Sequence, residues 1–67
     1  MIDITLNGRP HQLSENTSIS DLLVSLNLQD KRVAVEVNRA LVPRSEHAKH
    51  SLTAQDKVEI VHAIGGG

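Results

Sequence analysis

Hydrophobic and polar positions alternate from the first residues of the chain. Ile2, Ile4 and Leu6 interleave with Asp3, Thr5 and Asn7, the period-two pattern of a strand with one buried face. Asn7-Gly8 follows at once, and this dipeptide suits the positive φ angles of a tight hairpin turn. The return strand runs through His11-Gln12-Leu13-Ser14, with Leu13 on the buried face. The period then changes. Ile19, Leu22, Leu23 and Leu26 fall at i, i+3, i+4 and i+7, which predicts an amphipathic helix of about ten residues. Ser18 precedes it as N-cap, and Asp21 sets a carboxylate at the positive end of the helix dipole. Asn27 ends the helix, because Asn tolerates left-handed geometry, and Leu28 belongs to the connection.

Alternation returns in Arg32-Val33-Ala34-Val35-Glu36-Val37-Asn38, with the Val residues on the buried face and β-branching that favours strand. Leu41-Val42 reads as a short strand. Pro43 ends it or places it at a sheet edge, since Pro cannot donate a ladder hydrogen bond. Ser45 to His50 is expected to form one helical turn, Leu52 to anchor the connection, and Gln55-Asp56 to make a turn. The last strand-like run, Lys57 to Ile64, buries Val58 and Ile60 and leads into Gly65-Gly66-Gly67. The helix must bury its apolar face, and the available partner is one face of a mixed sheet. The expected fold is therefore α+β, with four to five strands packed on one amphipathic helix. A hairpin followed by a helix and further strands fits the β-grasp arrangement of ubiquitin-like proteins. Residues 1–64 form the domain and 65–67 a flexible C-terminal glycine tail.

Composition narrows what such a domain does. A chain of 67 residues buries only about 60% of the surface its unfolded form exposes, which leaves no room for a deep cleft within its own walls. That argues against a self-contained enzyme. There is no Cys, so no thiol serves as nucleophile or metal ligand. There is no Phe, Trp or Tyr either, which removes the stacking platforms of single-stranded nucleic-acid binders. Net charge is −1, so no footprint for a phosphate backbone is visible. Lys31, Arg32, Arg39 and Arg44 interleave with Glu36 and Glu46 as a solvated mixed-charge surface. No apolar run approaches the roughly 20 residues that span a bilayer, and Met1-Ile2-Asp3 opens straight into the first strand rather than a signal peptide. The expectation is a soluble, cytoplasmic binding module or carrier, with neither nucleic acid nor membrane as partner.

The glycine end is the chemically suggestive feature. Residues without side chains do not pack, so a tail of this kind projects into solvent unless a partner holds it. It presents an α-carboxylate on a thin arm, about 10 Å long when its glycines are extended. Such an arm threads a narrow tunnel that would reject any Cβ.

Three stretches carry a resemblance to a known family: Val35-Glu36-Val37-Asn38, Val42-Pro43-Arg44-Ser45-Glu46-His47, and Val58-Glu59-Ile60-Val61-His62-Ala63-Ile64-Gly65-Gly66-Gly67. Through them the chain resembles the ThiS family of sulfur carriers, which serve thiazole synthesis in the thiamin pathway. Length and element order agree over the whole chain, and its ends coincide with those expected of a complete carrier. It departs from the family in Gln55-Asp56, where members often have Gly-Asp, and in the third glycine, Gly65. The first affects turn geometry, because Gln costs more than Gly at positive φ. The second adds reach.

The resemblance implies a chemistry. A carboxylate resists nucleophiles at neutral pH because hydroxide is a poor leaving group. Adenylation from ATP supplies a better one, and a persulfide sulfur donor then displaces AMP to leave Gly67 as a thiocarboxylate. The activating partner would be a ThiF-like adenylyltransferase and the receiving partner a ThiG-like thiazole synthase. The carrier binds no cofactor; ATP is consumed by the activating partner. Gly67 reacts, while Gly65 and Gly66 give the backbone access to a closed site. No residue of the chain is catalytic. Recognition then lies on the folded body, where Val61 and Ala63 form a small exposed apolar stripe beside Ala34, with Arg44 (and Arg39) supplying rim charge.

Other readings are weaker. His47 and His50 are spaced as on one helical turn, yet no Cys and no second tight pair joins them, so they read as structural or solvated histidines rather than a metal site. A MoaD-type small subunit of molybdopterin synthase would be longer and carry aromatics. A ubiquitin-like modifier would instead form an isopeptide through Gly67.

Overall fold

Asn7 (φ 51°) and Gly8 (φ 81°) both take up positive φ. They fold strand β1 (Ile2–Leu6) back on β2 (Arg9–Leu13), with Ile2 opposite Leu13 and Leu6 opposite Arg9. The computed structural model describes residues 1–62. Strand β2 starts at Arg9 and so contains Pro10. This is tolerated because β2 is an outer strand of the sheet and needs no donor on its free side.

Helix α1 spans Ile19–Ser25, and its N-terminus is closed by reciprocal bonds. The Asp21 N–H donates to Ser18 Oγ at 3.0 Å and the Ser18 N–H to the Asp21 carboxylate at 3.2 Å. The N–H groups of Ile19 and Ser20 donate to the carbonyls of His50 (3.0 Å) and His47 (3.1 Å). All four donors that a helix start leaves orphaned are thus satisfied. At the other end Asn27 is left-handed (φ 62°). Its N–H reaches the Val24 carbonyl and that of Leu28 reaches Leu23, which stops the helix after seven residues. That is shorter than the apolar spacing suggests, because Leu26 occupies the cap and still packs on the core from there.

Strand β3 (Val33–Val37) turns into β4 (Ala40–Val42) through Asn38 (φ 53°) and Arg39 (φ 72°). This second tight hairpin contains no glycine. Asn38 is anchored on three sides: its N–H donates to the Lys57 carbonyl (2.8 Å), its amide nitrogen to Asp56 Oδ1 (3.0 Å), and its Oδ1 accepts the Lys57 N–H (2.9 Å). Pro43 closes β4, the other outer strand, and opens a 3-10 turn over Arg44–Glu46. Further backbone bonds carry that turn on to His50.

Strand β5 (Lys57–His62) enters the middle of the sheet, whose order is β2-β1-β5-β3-β4. It runs parallel to β1, with Thr5 beside Lys57 and Leu6 beside Val58. It runs antiparallel to β3, from Val37 opposite Val58 to Val33 opposite His62. The buried Asp56 prepares its entry, accepting from the Thr53 N–H (2.8 Å), the Thr53 hydroxyl (3.1 Å) and Asn38. Gln55 nonetheless takes positive φ (73°) in the preceding turn, so the left-handed backbone that Gly favours is kept there, where the departure from the family's Gly-Asp had suggested an altered turn. The fold is a mixed sheet of five strands with one α-helix among the described residues, where four to five strands on one helix were expected. Its core is aliphatic: Ile4, Leu13, Val35, Val37, Val42, Val58 and Ile60 from the sheet meet Ile19, Leu22 and Leu23 from α1, with Leu52 beneath the long connection.

Leu22 and Gln55 test this account in opposite directions. Leu22→Ala removes a fully buried side chain and should cost about 3 kcal/mol in denaturant unfolding. Gln55→Gly relieves a left-handed L-residue whose penalty is about 1–2 kcal/mol. After the extra chain entropy of Gly it should raise stability by roughly 0.5–1 kcal/mol.

Candidate functional site

The C-terminal end of β5 lies next to the segment where the sequence predicts function. Beyond Val58, strand β1 no longer pairs with β5, and the Asn7 side chain takes over. Its Oδ1 accepts the Ile60 N–H at 2.8 Å, while its own N–H donates to the Val58 carbonyl at 2.9 Å. Asn7 therefore serves both the β1–β2 turn and the β5 ladder. Past Ile60, the final residues of β5 are paired with β3 alone, Val61 with Ala34 and His62 with Val33.

Val61 and Ala34, expected beside each other on the surface, are direct cross-strand partners on the outer face of the sheet. Both are exposed, Val61 by 56%. The same face carries a residue that sequence reading did not single out. Leu41 of β4 lies opposite Glu36 and is 66% exposed. The signal was available, since Leu41 sits out of phase with the buried Val42 in a two-residue apolar run, but only the β3–β4 register shows which face it shares.

Arg44 lies elsewhere. It is exposed at the start of the 3-10 turn and lines a cavity of about 200 Å³ together with Leu23 and Val24 of α1, Lys31 and Val33. This cleft opens on the helix side of the sheet, away from Val61 and Ala34. Arg39 is in the β3–β4 turn. The structure does not bring the predicted rim charges onto the apolar stripe.

His47 is buried, with Nε2 3.0 Å from the Val42 carbonyl. That is a structural position, tying the 3-10 turn to β4. Among the described residues no group of three or more His, Asp or Glu side chains is placed to hold a metal ion. None of their helices is long and apolar enough to cross a membrane. Ala63, Ile64, Gly65, Gly66 and Gly67, and with them the expected domain boundary, lie outside the described residues.

The ThiS family model matches residues 4–67 of the chain. The chain belongs to that family. Relatives of this ThiS-family chain differ in length. The sulfur carrier protein ThiS of Bacillus subtilis is 37% identical over 65 residues, covering 96% of this chain and 98% of that protein. A thiazole synthase of Magnetococcus marinus is 42% identical over 64 residues, but there the match covers 96% of this chain and 20% of that protein. The chain thus spans about a fifth of the longer relative. The crystal structure of a thiamine biosynthesis protein (ThiS) from Geobacter metallireducens superposes with a TM-score of 0.86 at 29% identity, covering 98% of this chain and 100% of that one. The resemblance first drawn from Val-Asn, Val-Pro-Arg and the glycine end therefore holds across the fold. Yet Asn38 and Pro43 act in it as turn and strand-end residues, not as part of a site.

Asn7→Ala leaves the Ile60 N–H without its acceptor and should cost about 1–2 kcal/mol. Amide exchange should quicken at Ile60 more than at Val58, because the lost bond is the one that holds the Ile60 N–H.

Proposed function

We propose that this chain is a sulfur carrier of thiamin biosynthesis that holds sulfur as a thiocarboxylate on Gly67 and gives it up in formation of the thiazole. One observation supports the reading most. The central strand of the sheet, fixed between β1 and β3 at Val58 and between β1 and Asn38 at Lys57, is followed in the sequence by Ala63-Ile64-Gly65-Gly66-Gly67. The fold holds β5, the strand that precedes the arm, and the arm offers no side chain beyond Ile64. With Gly67 carrying a free carboxylate, attack on the α-phosphate of ATP gives the acyl adenylate and pyrophosphate. A persulfide sulfur then forms a C–S bond as the C–O bond to AMP breaks, and a thiol cleaves the resulting acyl disulfide to release the thiocarboxylate.

The chain supplies no catalytic group to these steps. It is a co-substrate of a ThiF-like adenylyltransferase, which consumes the ATP, and of a ThiG-like thiazole synthase. Both belong to the cytoplasm, where ATP and persulfide donors meet. The carrier needs no cofactor of its own. Gly65 and Gly66 let the arm pass where a Cβ would collide, and Val61 with Ala34 seats the body.

Intact mass after incubation with ATP, a ThiF-like enzyme and a persulfide donor tests the reading. The expected result is a gain equal to the difference between sulfur and oxygen, mapped to Gly67 and absent without ATP. Removing Gly66-Gly67 should abolish the gain and leave the thermal midpoint unchanged. A truncated chain that still supported thiazole formation would overturn the proposal.

A further inference from the structure

The outer face of the sheet is uneven. Over β1 and β2 it is polar, with the Gln12 amide donating to Asp3 at 3.0 Å and Thr5 beside Pro10. Over β3, β4 and β5 it carries Leu41, Ala34 and Val61, and in their midst two carboxylates. Glu36 and Glu59 are directly opposite each other in the β3–β5 ladder, with Leu41 across from Glu36 on the other side. Ala34 and Val61 form the next cross-strand pair along the same face. Side chains so placed have Cβ atoms about 5 Å apart, and like charges there repel. Lys57, two places along β5, is the one basic side chain of these strands on that face, so at most one of the two charges is offset within the sheet.

From this we infer that the face takes a protein surface presenting an arginine or lysine between apolar side chains. The cation seats between Glu36 and Glu59, while the apolar neighbours cover Leu41, Ala34 and Val61. The inference rests on the carrier reading and sharpens it. Charge complementarity names the occupant: a cation relieves the repulsion that folding leaves in place, and an apolar frame excludes water from the new ion pairs. Position agrees, because β5 runs from this patch toward the glycine arm. An enzyme that holds the arm has this face within its reach.

The test is steady-state kinetics of carrier adenylation by the ThiF-like enzyme, with wild type and the E36Q/E59Q double variant. The variant should raise the KM for the carrier roughly tenfold with kcat unchanged, a loss of about 1.4 kcal/mol in docking. Raising salt should increase the wild-type KM and leave the variant's nearly flat, since exposed pairs are screened over about 8 Å at physiological ionic strength. Leu41→Ser should raise KM without altering the salt dependence. The thermal midpoint of E36Q/E59Q should equal or exceed that of wild type, because the substitution removes repulsion. A KM within twofold of wild type, or a lower thermal midpoint, which would give the carboxylates a role inside the fold, overturns the inference alone. A wild-type chain that is not adenylated at all overturns the carrier reading as well.

Discussion

Everything in this domain depends on β5 entering the sheet between β1 and β3. Until it does, the N-terminal hairpin and the β3–β4 hairpin have no common backbone partner, and the helix has no continuous floor. Val58 pairs with β1 and β3 at once and is fully buried beneath α1. The entry is guarded by polar contacts rather than by bulk. Asp56 and Asn38 lock the start of β5 to the β3–β4 turn, and Asn7 holds it from the other side. With no aromatic residue to fill space, the core relies on close packing of branched aliphatics. Such packing demands a sheet whose register does not slip, because a shift of one residue would turn Val58 and Ile60 outward.

The same register gives the molecule two unlike surfaces. Inside, Val33, Val35 and Val37 of β3 and Val58 and Ile60 of β5 pack in the core with the helix. Outside, the alternate residues place paired carboxylates among exposed apolar groups. The core and the proposed docking face are thus two results of one alternation, and neither requires a pocket. That suits a domain too small to enclose a substrate.

Much of this was legible in the sequence, for definite reasons. The strands declared themselves by period two, the helix by its i, i+3, i+4, i+7 leucines and capping residues, and the first turn by Asn-Gly. Ala34 was expected beside Val61, but only the β3–β5 register makes the two direct cross-strand partners, because strand order is a long-range property. Leu41 escaped notice for the same reason. The Asn38-Arg39 turn was hidden by its lack of glycine: Asn tolerates positive φ, but Arg gives no such hint. Arg44 was expected as a rim charge on the apolar stripe, whereas the 3-10 turn carries it to the helix side. Family membership rested on motifs whose residues prove largely structural.

The position of β5 also bears on how the domain responds to force. An enzyme that draws the arm into a tunnel while gripping the body pulls β5 along its own axis. The hydrogen bonds to β1 and β3 lie across that direction, so they share the load in shear instead of parting one after another from an end. A terminal edge strand would peel away under the same tug. Burying the last strand at the centre of the sheet makes the arm a tether that can be handled without unravelling its anchor.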